Sequence, residues 1–238
     1  MELLDLFNLV NSYKKRDEII AMNGINGKRR ADTVVVLDFE TTGLSPNQGD
    51  RAIEIGAVLL ERGRVTDRFQ QLMCPGFRID RFIESYTGIT NRMLAKAAPC
   101  ARVMAEFADF IGDHNLVAHN ASFDRRFLDT ELSFIRRNYS GAFVCSMLVA
   151  RRLYQDAPNH KLGSLVEFKK IPTDGVFHRA LADSEMTAKL WLTMLDDIRD
   201  RYGRSSISFQ LMGQISRKPK GAVHHFLNQK GEKNAAQY

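Results

Sequence analysis

The 238-residue chain has only three cysteines, Cys74, Cys100 and Cys145, widely spaced and with no C-x-x-C pair. That excludes a disulfide-stapled framework and a zinc finger or ribbon, and it fits a reducing compartment. No apolar run approaches the ~20 residues that a membrane-spanning helix requires; Val34-Val35-Val36-Leu37 is typical of the longest. The first residues include Glu2 and Asp5 rather than a basic-then-apolar pattern, so no secretory leader is expected. Internal repeats and low-complexity segments are also missing. With 44% hydrophobic and 26% charged residues the composition is that of a globular protein, which excludes collagen-like and mainly disordered classes. The expectation is a soluble cytoplasmic protein, with no membrane role, built as one full domain with modest extensions.

The net charge of +6 is unevenly placed. Beyond residue 200 the basic residues are Arg201, Arg204, Arg217, Lys218, Lys220, Lys230 and Lys233, and the one acid is Glu232, so residues 1–200 are formally neutral. A neutral body with a basic end points to a polyanionic partner, with affinity gained through counterion release. The segment 201–238 reads as a basic tail, flexible beyond Gly213. Within it, Phe209, Leu211, Met212 and Ile215 stand among glutamines, a pattern that could dock on a partner.

Periodicity divides the rest. Leu3, Leu6, Phe7 and Val10 give residues 2–22 a helical face, either for docking a partner or for packing on its own domain. The glycine- and base-rich stretch Asn23–Arg30 reads as a linker, so residues 1–31 form an N-terminal helical extension and 32–200 the main domain. Strands are expected at Thr33–Leu37, Ala52–Leu60 and Val65–Met73, the last two joined by a hairpin turn through Glu61-Arg62-Gly63-Arg64. Helices are expected at Asn91–Ala97 and Ala101–Ile111, then a short strand at Leu116–Ala118. Helices follow over Ser122–Arg137, Ser146–Tyr154, Gly163–Lys169 and His178–Arg199. Strands in a meander, then strands alternating with helices, argue for an α/β fold with a mixed central sheet flanked by helices.

Four acids stand at the ends of these elements. Asp38 and Glu40 follow the Val34–Leu37 strand two residues apart, so both carboxylates point to one side of the sheet. Asp124 falls in the first turn of a helix just after Val117-Ala118-His119-Asn120, and Asp183 lies five residues after His178. Each alone has an ordinary reading: Asp124 as an acid favoured by the helix dipole, Asp183 as a surface charge, His178 as a helix-terminal residue. Gathered together, unneutralised carboxylates repel, and hard divalent cations are their natural counter-charge. An oxygen-rich site suits magnesium or manganese rather than zinc.

Three segments make the combination specific: Asp38-Phe39-Glu40-Thr41-Thr42-Gly43-Leu44, His119-Asn120-Ala121-Ser122-Phe123-Asp124 and His178-Arg179-Ala180-Leu181-Ala182-Asp183. They resemble, in order and spacing, the three motifs of the DEDDh 3′→5′ exonucleases, and Thr87-Gly88-Ile89-Thr90 resembles a further family element. The resemblance spans roughly Asp32–Asp200. It implies an RNase H-like fold with a five-stranded sheet, the fifth strand being Gly141–Cys145. It also implies two divalent ions, Mg2+ or Mn2+, held by Asp38, Glu40, Asp124 and Asp183, with His178 as general base.

The resemblance assigns substrate contacts to Thr41, Thr42, Gly43, Leu44, Thr87, Ile89, His119 and Asn120. Phe123 is left between stacking on a base and a place in the core. The implied reaction is hydrolysis of nucleic acid from the 3′ end of a single or frayed strand, releasing nucleoside 5′-monophosphates, in DNA repair or proofreading beside a polymerase or repair partner. The rival readings are an exoribonuclease that trims RNA 3′ ends and a binding module without catalysis; the complete set of five active-site residues disfavours the second.

Overall fold

The computed structural model describes residues 30–173 and 179–235. The helix expected over residues 2–22 and most of the linker after it lie outside the described residues. The sheet starts with β1 (Val34–Thr41), antiparallel to β2 (Ala52–Glu61), which pairs antiparallel with β3 (Arg64–Cys74). The β2–β3 turn is the expected one. Arg62 and Gly63 both take positive φ, 51° and 78°, the two-residue geometry whose twist matches that of the flanking strands. A two-residue strand, β4 (Ala98–Pro99), adds to the end of β3, while β5 (Leu116–Ala118) runs parallel to β1 and β6 (Phe143–Cys145) parallel to β5. The order is 4-3-2-1-5-6.

The five expected strands are thus all present and β4 is a sixth. It falls in the gap between the two helices expected at Asn91–Ala97 and Ala101–Ile111, the first of which ends at Leu94.

The helices are α1 (Arg81–Thr87), α2 (Asn91–Leu94), α3 (Cys100–Ile111), α4 (Ser122–Phe134), α5 (Ser146–Leu153), α6 (Leu162–Phe168), α7 (Ala180–Tyr202), α8 (Phe209–Arg217) and α9 (Val223–Ala235). They cover both faces of the sheet, which is why β1 is apolar on both sides. Val35, Leu37 and Phe39 pack with Val103, Phe107 and Phe127 on one face. Val34 and Val36 pack with Leu190, Trp191 and Met194 on the other. Trp191, the single tryptophan, is fully buried and its indole N–H donates to the Ala31 carbonyl at 2.7 Å. No helix among the described residues is long and apolar enough to cross a membrane.

The C-terminal segment departs from the expectation of a flexible tail. Ser208 caps α8 by accepting from the Leu211 N–H, and Phe209, Leu211, Met212 and Ile215 are buried. The side chains that read as a docking surface for a partner dock instead on the protein's own core, Phe209 lying 6.1 Å from Trp191 between ring centroids. Val223 and Leu227 of α9 join the same core. A few apolar residues at helical spacing outweigh the polar composition around them.

Candidate active site

Asp38 and Glu40 interrupt an otherwise apolar central strand on one face, with Phe39 turned to the other, where it meets Phe107 edge-on at 6.4 Å. Register places Gly56 of β2 opposite Asp38, and Glu54 opposite Glu40. Gly56 matters because the start of α7 lies directly on it. A Cβ there would stand 2.0 Å from the Leu181 backbone nitrogen, closer than any side chain allows. The Ser184 hydroxyl sits 2.8 Å from both the Gly56 and the Ala180 carbonyl oxygens and ties the helix to the strand.

That close approach delivers Asp183. One carboxylate oxygen from each of Asp38, Glu40 and Asp183 lies within 4.8 Å of the others. Asp124, 1% exposed in the first turn of α4, stands outside that trio and accepts the Phe39 N–H at 3.2 Å.

The electrostatics of the group follow from crowding like charges in a place with little water. Burial, reinforced by Asp124, Asp183, Glu40 and Glu54, holds Asp38 well above the ordinary carboxylate range. Burial, then Asp183, Glu54 and Asp124, pushes Glu40 up to about 8, with Arg179 opposing. Burial pushes Asp124 up to about 7 against the pull of its own backbone N–H and that of Phe39. Oxygen donors so frustrated are suited to a hard divalent cation, which would favour their ionised forms. Among the described residues no histidine or cysteine joins the trio, so the donor set fits an oxygen-preferring ion.

The loop after β1 is held by its own polar groups. The Thr41 hydroxyl donates to the Gly43 carbonyl at 2.6 Å, and the Thr42 hydroxyl contacts Asp50 while accepting the Arg51 N–H. Asp50 also accepts the Ser45 N–H at 2.8 Å, and its carboxylate lies against Gly43 so closely that a side chain there would have to displace it. Leu44 is left 72% exposed, apolar and at the rim. Behind the loop, Arg51 makes a two-pronged pair with Glu131 of α4, which also accepts the Ala52 N–H.

Other expected contacts fall differently. Ile89 is fully buried with Ile53, Ile79 and Leu94. Thr87 is also buried, its hydroxyl donating to Ile83 and accepting from the Ile89 N–H. His119 has both ring nitrogens occupied, by the Ser146 hydroxyl and the His160 carbonyl at 2.9 Å each, and burial pushes its pKa down to about 4. These three side chains serve the fold, which corrects the expectation that they face substrate. Phe123 is half-buried against Phe127 at 5.0 Å between centroids, with part of its ring exposed. Asn120 is exposed with φ of 65°, just ahead of α4. His178 lies outside the described residues. Glu54, Asp50 and the Arg51–Glu131 pair were not singled out from the sequence; the one signal for Glu54 was an acid inside the apolar strand Ala52–Leu60.

Fold and site define a class: an α/β nuclease with an acid-lined centre at the end of its middle strand. The chain belongs to the exonuclease family, whose profile, described as Exonuclease, matches residues 35–191. It is 32% identical over 172 residues to the DNA polymerase III subunit epsilon of Aquifex aeolicus, covering 72% of this chain and 84% of that protein. It is 33% identical over 199 residues to the PolC-type DNA polymerase III of Caldanaerobacter subterraneus subsp. tengcongensis, covering 84% of this chain. The match spans only 14% of that much longer polymerase. Among solved structures, exonuclease X in complex with 5′ overhanging duplex DNA superposes with a TM-score of 0.60 at 28% identity, covering 77% of this chain and 99% of that one.

Proposed function

We propose that this chain is a divalent-cation-dependent 3′→5′ exonuclease that removes nucleoside 5′-monophosphates from the 3′ end of DNA, in proofreading or repair. The observation that carries the reading is the convergence of Asp38, Glu40 and Asp183 within 4.8 Å, with Asp124 one hydrogen bond from the same strand. Asp38, Glu40, Asp124 and Asp183 would hold two ions, magnesium or manganese. Such ions would ease ionisation of the attacking water and offset the charge that develops during an in-line displacement.

The chain's own groups do the rest. His178, five residues ahead of Asp183 in the sequence, accepts the proton of the attacking water; an imidazole of ordinary pKa near 6.5 can do so at neutral pH. Thr41, Thr42 and Gly43 present backbone groups from a loop whose hydroxyls are engaged within it and with Asp50. Leu44, exposed at the rim, packs against the terminal base, and Asn120 stands where the incoming strand can reach it. A polymerase partner and a cytoplasmic setting are supported by the likeness to the epsilon subunit.

The test is hydrolysis of a labelled single strand, a mismatched duplex and RNA of one sequence, each with magnesium and with EDTA. Release of mononucleotides from the DNA substrates that stops in EDTA is expected. Activity that persists in EDTA overturns the reading, and a strong preference for RNA overturns the choice of DNA.

A further inference from the structure

We infer that Glu54 is a positioning residue for the reaction: a buried anionic seat on β2 that sets the first turn of α7, and with it Asp183, against Asp38 and Glu40. The inference rests on the proposed nuclease reading of that site. Glu54 is fully buried, an expensive place for a carboxylate unless its oxygens are filled. They are. Oε1 accepts from Arg179 Nη2 at 2.8 Å and from Gln70 Nε2 at 2.9 Å; Oε2 accepts from Arg179 Nε and from the Ala180 backbone N–H, each at 3.2 Å.

Two of these partners are the last residue before α7 and the first residue within it. The Asp183 N–H in turn donates to the Arg179 carbonyl at 3.0 Å, so the residue that Glu54 grips is the one that closes the turn presenting Asp183. Two positions along the same strand face, Gly56 admits the helix backbone. Glu54 and Gly56 therefore fix separate coordinates of one object: the carboxylate fixes the rotation and depth of the turn, the glycine its distance from the sheet.

The pairing also shapes the charge seen by the acids. Glu54 stands across the strand pair from Glu40, and its negative charge is answered by Arg179, which acts on Glu40 in the opposite sense. The side chain that neutralises Glu54 is thus held beside the acid cluster without being one of its ligands.

The test uses the full chain and three variants: Glu54→Gln, Arg179→Gln and the double substitution. Gln keeps the shape at 54 but turns an amide toward the guanidinium. Each is read for kcat and KM on a labelled single strand, for melting temperature in EDTA, and for the rise in melting temperature on adding Mn2+. Expected are a fall in kcat of about 10–100-fold with KM within twofold, and a smaller Mn2+-induced rise. The double variant should lose no more than the worse single one, since both act through one contact.

A Glu54→Gln protein that retains wild-type kcat and the full Mn2+-induced rise overturns the inference, as does additive loss in the double variant. If Glu54→Gln does not fold, Arg179→Gln carries the same criteria, its side chain being 40% exposed and replaceable by water. Should the wild-type chain cleave nothing, the nuclease reading fails, while the Mn2+-induced shift still decides whether Glu54 positions the acid cluster.

Discussion

Replacing Glu40 by glutamine should stabilise the cation-free protein while disabling it. Glu40 is 9% exposed and its pKa is pushed from an ordinary 4.5 up to about 8 by burial and by its acidic neighbours. The unfolded chain releases this proton near 4.5 and the folded chain holds it to about 8. The group's contribution is therefore complete below pH 4.5 and is lost as pH rises toward 8. At pH 7 the linkage amounts to about 3 kcal/mol against the folded state. At 2–4 °C per kcal/mol for a domain of this size, that is roughly 6–12 °C in melting temperature.

An uncharged amide removes the penalty. In EDTA, wild type should melt at progressively lower temperature from pH 4.5 to pH 8, and Glu40→Gln should show a flatter curve and a higher melting temperature at pH 7. Added Mn2+ should raise wild type far more than the variant. The assay is a set of thermal melts at stepped pH, with and without Mn2+. A Glu40→Gln protein that melts below wild type in EDTA at pH 7 would show that the acids are not held against their own repulsion.

Two further predictions concern what supports the site. Arg51→Ala leaves Glu131, with its side chain 2% exposed, without its charged partner, and should cost about 3 kcal/mol, or roughly 6–12 °C, in a thermal melt; an unchanged melting temperature would refute it. Met212→Ala, at a fully buried position of α8, should cost about 2–5 kcal/mol by denaturant titration, since α8 belongs to the core rather than to a tail. A change within 0.5 kcal/mol, roughly the effect of a surface substitution, would contradict that placement.

How much of this was legible in the sequence depends on the range of the forces involved. Asp38 and Glu40 could be placed on one face because strand alternation is local, and the acid-bearing turns at Asp124 and Asp183 could be read from helix starts. Phe209, Leu211, Met212 and Ile215 stood out in the sequence as apolar residues among glutamines; what it could not say was that they form a helix whose partners are Trp191 and its neighbours rather than another protein. Ile89, Thr87 and His119 were assigned to substrate from the motifs they belong to, yet their side chains are taken up by neighbours close and remote. His119 depends on Ser146 and His160, far along the chain. Glu54 is the sharpest instance. Alone it is an acid out of place in a strand, and its meaning comes from Arg179 and Ala180, more than a hundred residues away.

If Asp38 and its neighbours hold the cations on which hydrolysis depends, the decisive quantity is the rate at which Asp38→Asn, folded and with Mg2+ present, releases mononucleotides from a 3′-labelled single strand. Loss of about 4 kcal/mol of charge stabilisation predicts a rate lower by on the order of a thousand-fold than that of wild type. A folded Asp38→Asn protein that cleaves at the wild-type rate would show that Asp38 holds no ion the reaction needs.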